Sequence, residues 1–71
     1  MKRTIFDIWR RHDVRRAERR VGELCHIDPC TGREIDNGGV LGRIAGVELQ
    51  AGKVVYVVDE WQGNRTWWVD A

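Results

Sequence analysis

Ile27-Asp28-Pro29-Cys30-Thr31-Gly32-Arg33-Glu34-Ile35 is the stretch on which the reading of this chain turns. The Asp28 carboxylate is suited to accept N–H groups of a tight turn, Pro29 presets φ, and Gly32 supplies the positive φ that closes it. A hairpin is expected, pairing a strand near 21–27 with one near 33–36. Asn37-Gly38-Gly39 then marks the next turn, and VLGRIAGVEL (40–49) reads as a strand whose Gly42 and Gly46 mark bends or bulges. QAGK (50–53) turns the chain with Gly52 in a left-handed conformation. VVYVVDEW (54–61), a β-branched run apolar on both faces, is the strongest strand; QGNR turns again, and TWWVD (66–70) is the fifth strand.

Upstream, TIFDIWRRHDVRRAERRV (4–21) reads as helix, with Thr4 and Asp7 at capping-box spacing. Ile5, Ile8 and Trp9 share one face, with Phe6 at its edge, while Val14, Ala17 and Val21 share another about 130° away at the helical period. One straight helix cannot press both stripes on one surface. A kink or two short helices near His12–Asp13 is therefore expected, with Asp13 capping the second piece. Arginines line the face between the stripes.

Seventy-one residues make one domain at most, and a chain this short buries only about 60% of its unfolded surface. A deep substrate pocket is hard to build within that limit. With 42% hydrophobic and 32% charged residues the chain is not of disordered type. The net charge of +1 hides a segregation. Residues 1–20 hold eight Lys/Arg against three carboxylates, +5, and residues 21–71 hold four against eight, −4. Such asymmetry marks either a functional basic segment or two halves that neutralise each other. No stretch approaches the ~20 apolar residues of a membrane span, and the basic start (Lys2, Arg3) is not followed by a signal-type apolar core, so no membrane partner is expected and the cytoplasm is the expected compartment.

The layout VGEL…VLGRIAGVELQAGKVVYVVDEW…TWWVD, over residues 21–71, resembles the SH3-like small barrels, a superfamily that includes Tudor, KOW and plasmid-type dihydrofolate reductase domains. The resemblance implies a binding scaffold for peptides, RNA or DNA, and no active-site signature of the reductase members is matched. The expected class is thus α+β: a basic helical arm over 1–20, followed over 21–71 by a five-stranded antiparallel SH3-like small barrel or rolled β-meander.

Candidate chemistry is sparse. Cys25, His26, Cys30 and His12 miss zinc spacing, since the histidines are fourteen apart and Cys25 and His26 fall on opposite faces of a strand. Asp59 and Glu60 likewise face opposite ways and form no acid–base pair. A Cys25–Cys30 disulfide would have to span from the strand to the hairpin tip, beyond the usual Cα reach. No catalytic residue, metal or cofactor is expected; Cys25 reads as a small core hydrophobe and Cys30 as a loop residue.

What remains is basic and aromatic surface. Trp67 and Trp68 are consecutive in a strand, so one faces the core and the other away, and Trp61 ends its strand with the same ambiguity. Trp and Arg dominate interface hot spots. Arg15, Arg16, Arg19 and Arg20, with one of Trp61, Trp67 or Trp68, are the expected contact surface. The preferred reading is a non-catalytic adaptor or inhibitor, of the accessory kind carried by phages and plasmids, that binds a protein and forms a homodimer. The alternative is a nucleic-acid-binding regulator using the arm over residues 2–20 on phosphates. Against the alternative stands a pI of about 7.8, where nucleic-acid-binding domains usually exceed about 9.

Overall fold

A computed structural model describes the backbone from residue 5 to residue 71 and the side chains from residue 11 onward. One helix, α1 (Ile5–Glu18), precedes five strands: β1 (Leu24–Ile27), β2 (Glu34–Ile35), β3 (Val40–Gln50), β4 (Lys53–Glu60) and β5 (Thr66–Asp70). They form a single antiparallel sheet in the order β2-β1-β3-β4-β5, curled into a half-barrel.

The helix runs continuously through His12–Asp13, so of the two arrangements expected there the pair of short helices does not form. Nothing in the segment breaks a helix: it holds neither proline nor glycine. Of the second stripe Ala17 is buried in the core, Val14 is half-buried and Val21 is exposed, so one short contact is all the helix needs on that side. The first stripe (Ile5, Phe6, Ile8, Trp9) lies outside the residues whose side chains are described. After Glu18 the chain tightens through i→i−3 bonds, Arg20 N–H to Ala17 O at 3.0 Å and Val21 N–H to Glu18 O at 3.1 Å. Gly22 then takes a φ of +97°, which delays β1 to Leu24, three residues later than the sequence pattern suggested.

The DPCTG hairpin forms as its residues dictate. Asp28 Oδ1 accepts the Cys30 N–H at 2.9 Å, the Asp28 carbonyl accepts the Gly32 N–H at 2.7 Å, and Gly32 sits at φ +71°. The next connection departs from a meander. Residues 36–39 carry the chain across the end of β1, so that β3 pairs with β1 on the side away from β2. Gly38 and Gly39, at φ +79° and +60°, make that crossing possible; a Cβ on Gly39 would collide with the Ile27 carbonyl.

Alternation sorts the side chains into two faces. The inner face carries Cys25, Ile27, Ile44, Tyr56, Val58 and Val69, which with Ala17 of the helix make the core; Ile27, Ile44 and Val58 are essentially sealed from solvent. Ala45 is an extra residue between Ile44, opposite Val58, and Gly46, opposite Val57. Because of it the inner positions of β3 are even-numbered up to Ile44 and odd-numbered from Val47.

Gly42 packs its bare α-carbon against β4, where an added Cβ would come within 2.5 Å of a Val58 methyl and 3.1 Å of the Asp59 carbonyl, while a Cβ on Gly46 would meet open space. Gly42→Ala is expected to lower stability by about 1–3 kcal/mol through overpacking, with Gly46→Ala within about 0.5 kcal/mol of the parent. Urea unfolding of the two variants measures both; equal costs would show that the β3–β4 contact is not the tight one.

Candidate functional site

The face of the sheet turned away from the helix is built by the same alternation. Leu24, Arg43, Asp59 and Thr66 form one row across β1, β3, β4 and β5, and Glu48, Val55 and Asp70 form another. The Thr66 hydroxyl donates to Asp59 Oδ1 at 3.1 Å. Trp61, one residue past β4, keeps the ladder by donating its N–H to the Leu41 carbonyl at 2.9 Å, and the Arg43 guanidinium stacks 4.9 Å from its ring. Trp68 lies opposite Val57, and its Nε1 donates to Glu48 Oε2 at 3.2 Å. That bond crosses β4, so the indole spans Val55, which is buried although it is no part of the core cluster. Trp68 is nonetheless 51% exposed and Trp61 42%. His26, also on this face, is fixed by Nδ1–H donating to the Gly38 carbonyl at 2.9 Å. Of the charged groups in these rows, Arg43 is set against Asp59, Glu48 and Asp70.

The arginines named from the sequence separate into two groups. Arg20 is committed within the chain: its Nη1 and Nη2 donate to the two Glu34 carboxylate oxygens at 2.9 and 2.8 Å, its Nε reaches Glu23 at 3.5 Å, and its guanidinium lies 5.1 Å from the Tyr56 ring. Arg15, Arg16 and Arg19 are exposed and make no ion pair among the described residues. Arg16 lines an open groove of about 630 Å³, between Asp13 on the helix and Lys53 and Asp70 on the sheet, floored by Tyr56. Of the three tryptophans, Trp67 is the one on the helix side. It is half-buried, packs on the core, and carries Arg65 at 5.0 Å from its ring, with Arg65 Nε bound to Glu60 Oε2 at 2.6 Å. Trp61 and Trp68 lie on the opposite face from α1. The structure therefore does not gather the helix arginines and the two exposed tryptophans into one patch. Arg43, Glu48 and Asp70, which surround those tryptophans, were not singled out from the sequence; they meet through strand register, which no local motif announces.

Burial pushes the Cys25 thiol up from its ordinary value, so at neutral pH it stays a core hydrophobe and not a thiolate nucleophile. Cys25 and His26 point to opposite faces, and among the described residues no three His, Cys, Asp or Glu side chains converge as metal ligands. No helix among them is long and apolar enough to cross a membrane. No protein-family model matches the chain, and no curated protein or solved structure matches it either.

The Arg20 guanidinium, by hydrogen bonding and charge, holds the Glu34 carboxyl below the usual glutamate range. A carboxyl depressed in the folded state adds stability that is complete above the unfolded value, about 4.3, and is lost as pH falls through the lower folded value. Both partners are about a third exposed, so the pair is expected to contribute only about 0.5–1 kcal/mol. Glu34→Gln should cost that much at neutral pH, and the gap from the parent should close as unfolding is measured below about pH 4. A gap that persists unchanged into strong acid would mean the side chain acts by packing and not by charge.

Proposed function

We propose that this chain is a non-catalytic binding protein, an adaptor or inhibitor, that docks a protein partner on the outer face of its sheet around Trp61, Arg43 and Trp68. The observation that carries the reading is the pair of tryptophans exposed on the face that the helix leaves uncovered. Large aromatic area left in water disfavours the free chain, and Trp and Arg are the side chains that most often anchor interfaces. Arg43 and Glu48 support both indoles from within the chain, so the anchors lose little rotational freedom on binding. The curled five-stranded sheet is read here as the SH3-like small-barrel layout used as a recognition scaffold.

Glu48 and Asp70, the charged groups beside Trp68, argue against phosphate as the ligand of that indole. A nucleic-acid reading has its own support in Arg15, Arg16 and Arg19, exposed on the helix and without ion pairs among the described residues. Self-association is the other way to cover the tryptophans, and a homodimer remains part of the proposal.

A tagged chain used for affinity capture from its native host, with and without nuclease, supplies the partner; titration of the purified partner then decides. Trp61→Ala and Trp68→Ala are each expected to weaken binding by about 2 kcal/mol or more, with the combined Arg15→Ala, Arg16→Ala, Arg19→Ala variant within about 0.5 kcal/mol of the parent. A nuclease-sensitive partner lost with the arginines and kept with the tryptophan variants would establish the nucleic-acid reading instead. Light scattering at micromolar concentration with the same variants tests the dimer.

A further inference from the structure

The half-barrel has two free edges, and they face each other across a cleft of about 430 Å³. Residues 31–34, leading into β2, line one bank, and Trp68, Val69 and Asp70 of β5 line the other. The ladder bonds fix what each bank displays. Glu60 N–H donates to the Arg65 carbonyl at 2.9 Å and Ala71 N–H to the Val54 carbonyl at 3.1 Å. By antiparallel alternation Trp67 and Val69 are then bonded to β4, and the N–H and C=O groups of Thr66, Trp68 and Asp70 point away from it into the cleft. On the other bank Asp28 N–H donates to the Arg33 carbonyl at 2.8 Å, so the backbone groups of Glu34 point away from β1.

Three features fit these banks to one extended strand. Five antiparallel strands leave both edge strands running in the same direction, so a single further strand can be antiparallel to both. Its alternation also matches. Residues bonded to Trp68 and Asp70 face outward like those two, and the intervening residues, which turn their backbone toward β2, face inward like Glu34. Finally, the outer rim carries two exposed charges without ion pairs among the described residues: Arg33 on one bank and Asp70 on the other. The cleft is bounded on both sides by strand edges, which suits a single extended segment better than the edge of a second sheet and so disfavours another copy of this chain. It is continuous with the outer face at Trp68.

We infer that this seam binds an extended segment of the protein partner as a sixth strand. On its inner side the segment carries apolar residues against Val69, beside Glu34 of the other bank, and on the outer side it carries a basic residue toward Asp70 and an acidic residue toward Arg33. The inference rests on the protein-binding reading above and locates part of the contact. Main-chain bonds to the two edges would supply the attachment and the alternating side chains the selectivity.

Selection from a displayed library of random peptides, followed by amide hydrogen exchange of the complex, tests it. The expected result is enrichment of sequences that alternate apolar and polar residues, with slowed exchange at the amides of Thr66, Trp68, Asp70 and Glu34 when the peptide is bound. Asp70→Lys should weaken the selected peptide by roughly tenfold, and selection repeated on that variant should replace the basic residue by an acidic one. Asp36→Lys, on an exposed residue beyond β2, should leave affinity unchanged. The inference is overturned if no alternating sequence is enriched, or if bound peptides leave those amides exchanging as in the free chain. It is also overturned if the same amides become protected with rising protein concentration alone, which would put a second copy in the seam. Failure here, with partner binding still lost on Trp61→Ala, removes only the seam; loss of the seam's peptide together with partner binding unaffected by either tryptophan removes the outer-face reading and keeps the seam.

Discussion

Arg20 is where three distant parts of the chain are tied together. It leaves the turn after the helix, lies over the ring of Tyr56 in the core, and grips the Glu34 carboxylate with two short bonds. β2 is only two residues long and pairs on one side alone, so its place is set by β1 and by this guanidinium. The position of β2 in turn sets the width of the open seam and thus the shape of the half-barrel. Each contact is modest, because the groups are partly in water, but the planar fork fixes direction as well as distance.

From that arrangement follows a division of labour between the two sides of the sheet. The inner side is a thin core that one helix and the edge strands can close, and it takes up Trp67. The outer side keeps Trp61 and Trp68, each oriented by a charged neighbour. The helix carries Arg15, Arg16 and Arg19, which make no ion pair among the described residues, on the other side of the sheet from Trp61 and Trp68. Among the described residues the ion pairs that join the basic first part of the chain to the acidic remainder are those of Arg20 with Glu34 and Glu23.

The strands were legible in the sequence because turns are local. Asp28-Pro29 with Gly32, Gly38-Gly39, Ala51-Gly52 and the turn at Gln62 each impose their backbone conformation with little help from elsewhere, and the strands lie between them. What was not legible depends on pairing. The position of β1 between β2 and β3, the face taken by Trp67 as against Trp68, and the partnership of Arg20 with a carboxylate fourteen residues away are all set by register and sheet order. The expectation of two short helices was a different kind of error. It assumed that both apolar stripes of the helix must press on the same surface, whereas Ala17 alone reaches the core among the residues whose side chains are described. Of the candidate surface, the exposure of one member of the Trp67–Trp68 pair could be foreseen from alternation, but the isolation of the helix arginines from the exposed tryptophans could not.

The extra residue at Ala45 makes this protein sensitive to length where it is indifferent to chemistry. Its side chain is exposed and a neighbouring Gly46 has open space around it, so evolution is free to write almost any residue there. Removing one residue is another matter. The far half of β3 would then turn over, carrying Glu48 toward the core and Val47 into water, and Trp68 would lose the carboxylate that holds its indole. Descendants of this sequence should therefore vary in letter at 45 while keeping count, and an insertion or deletion within 40–50 should survive only with a compensating one nearby.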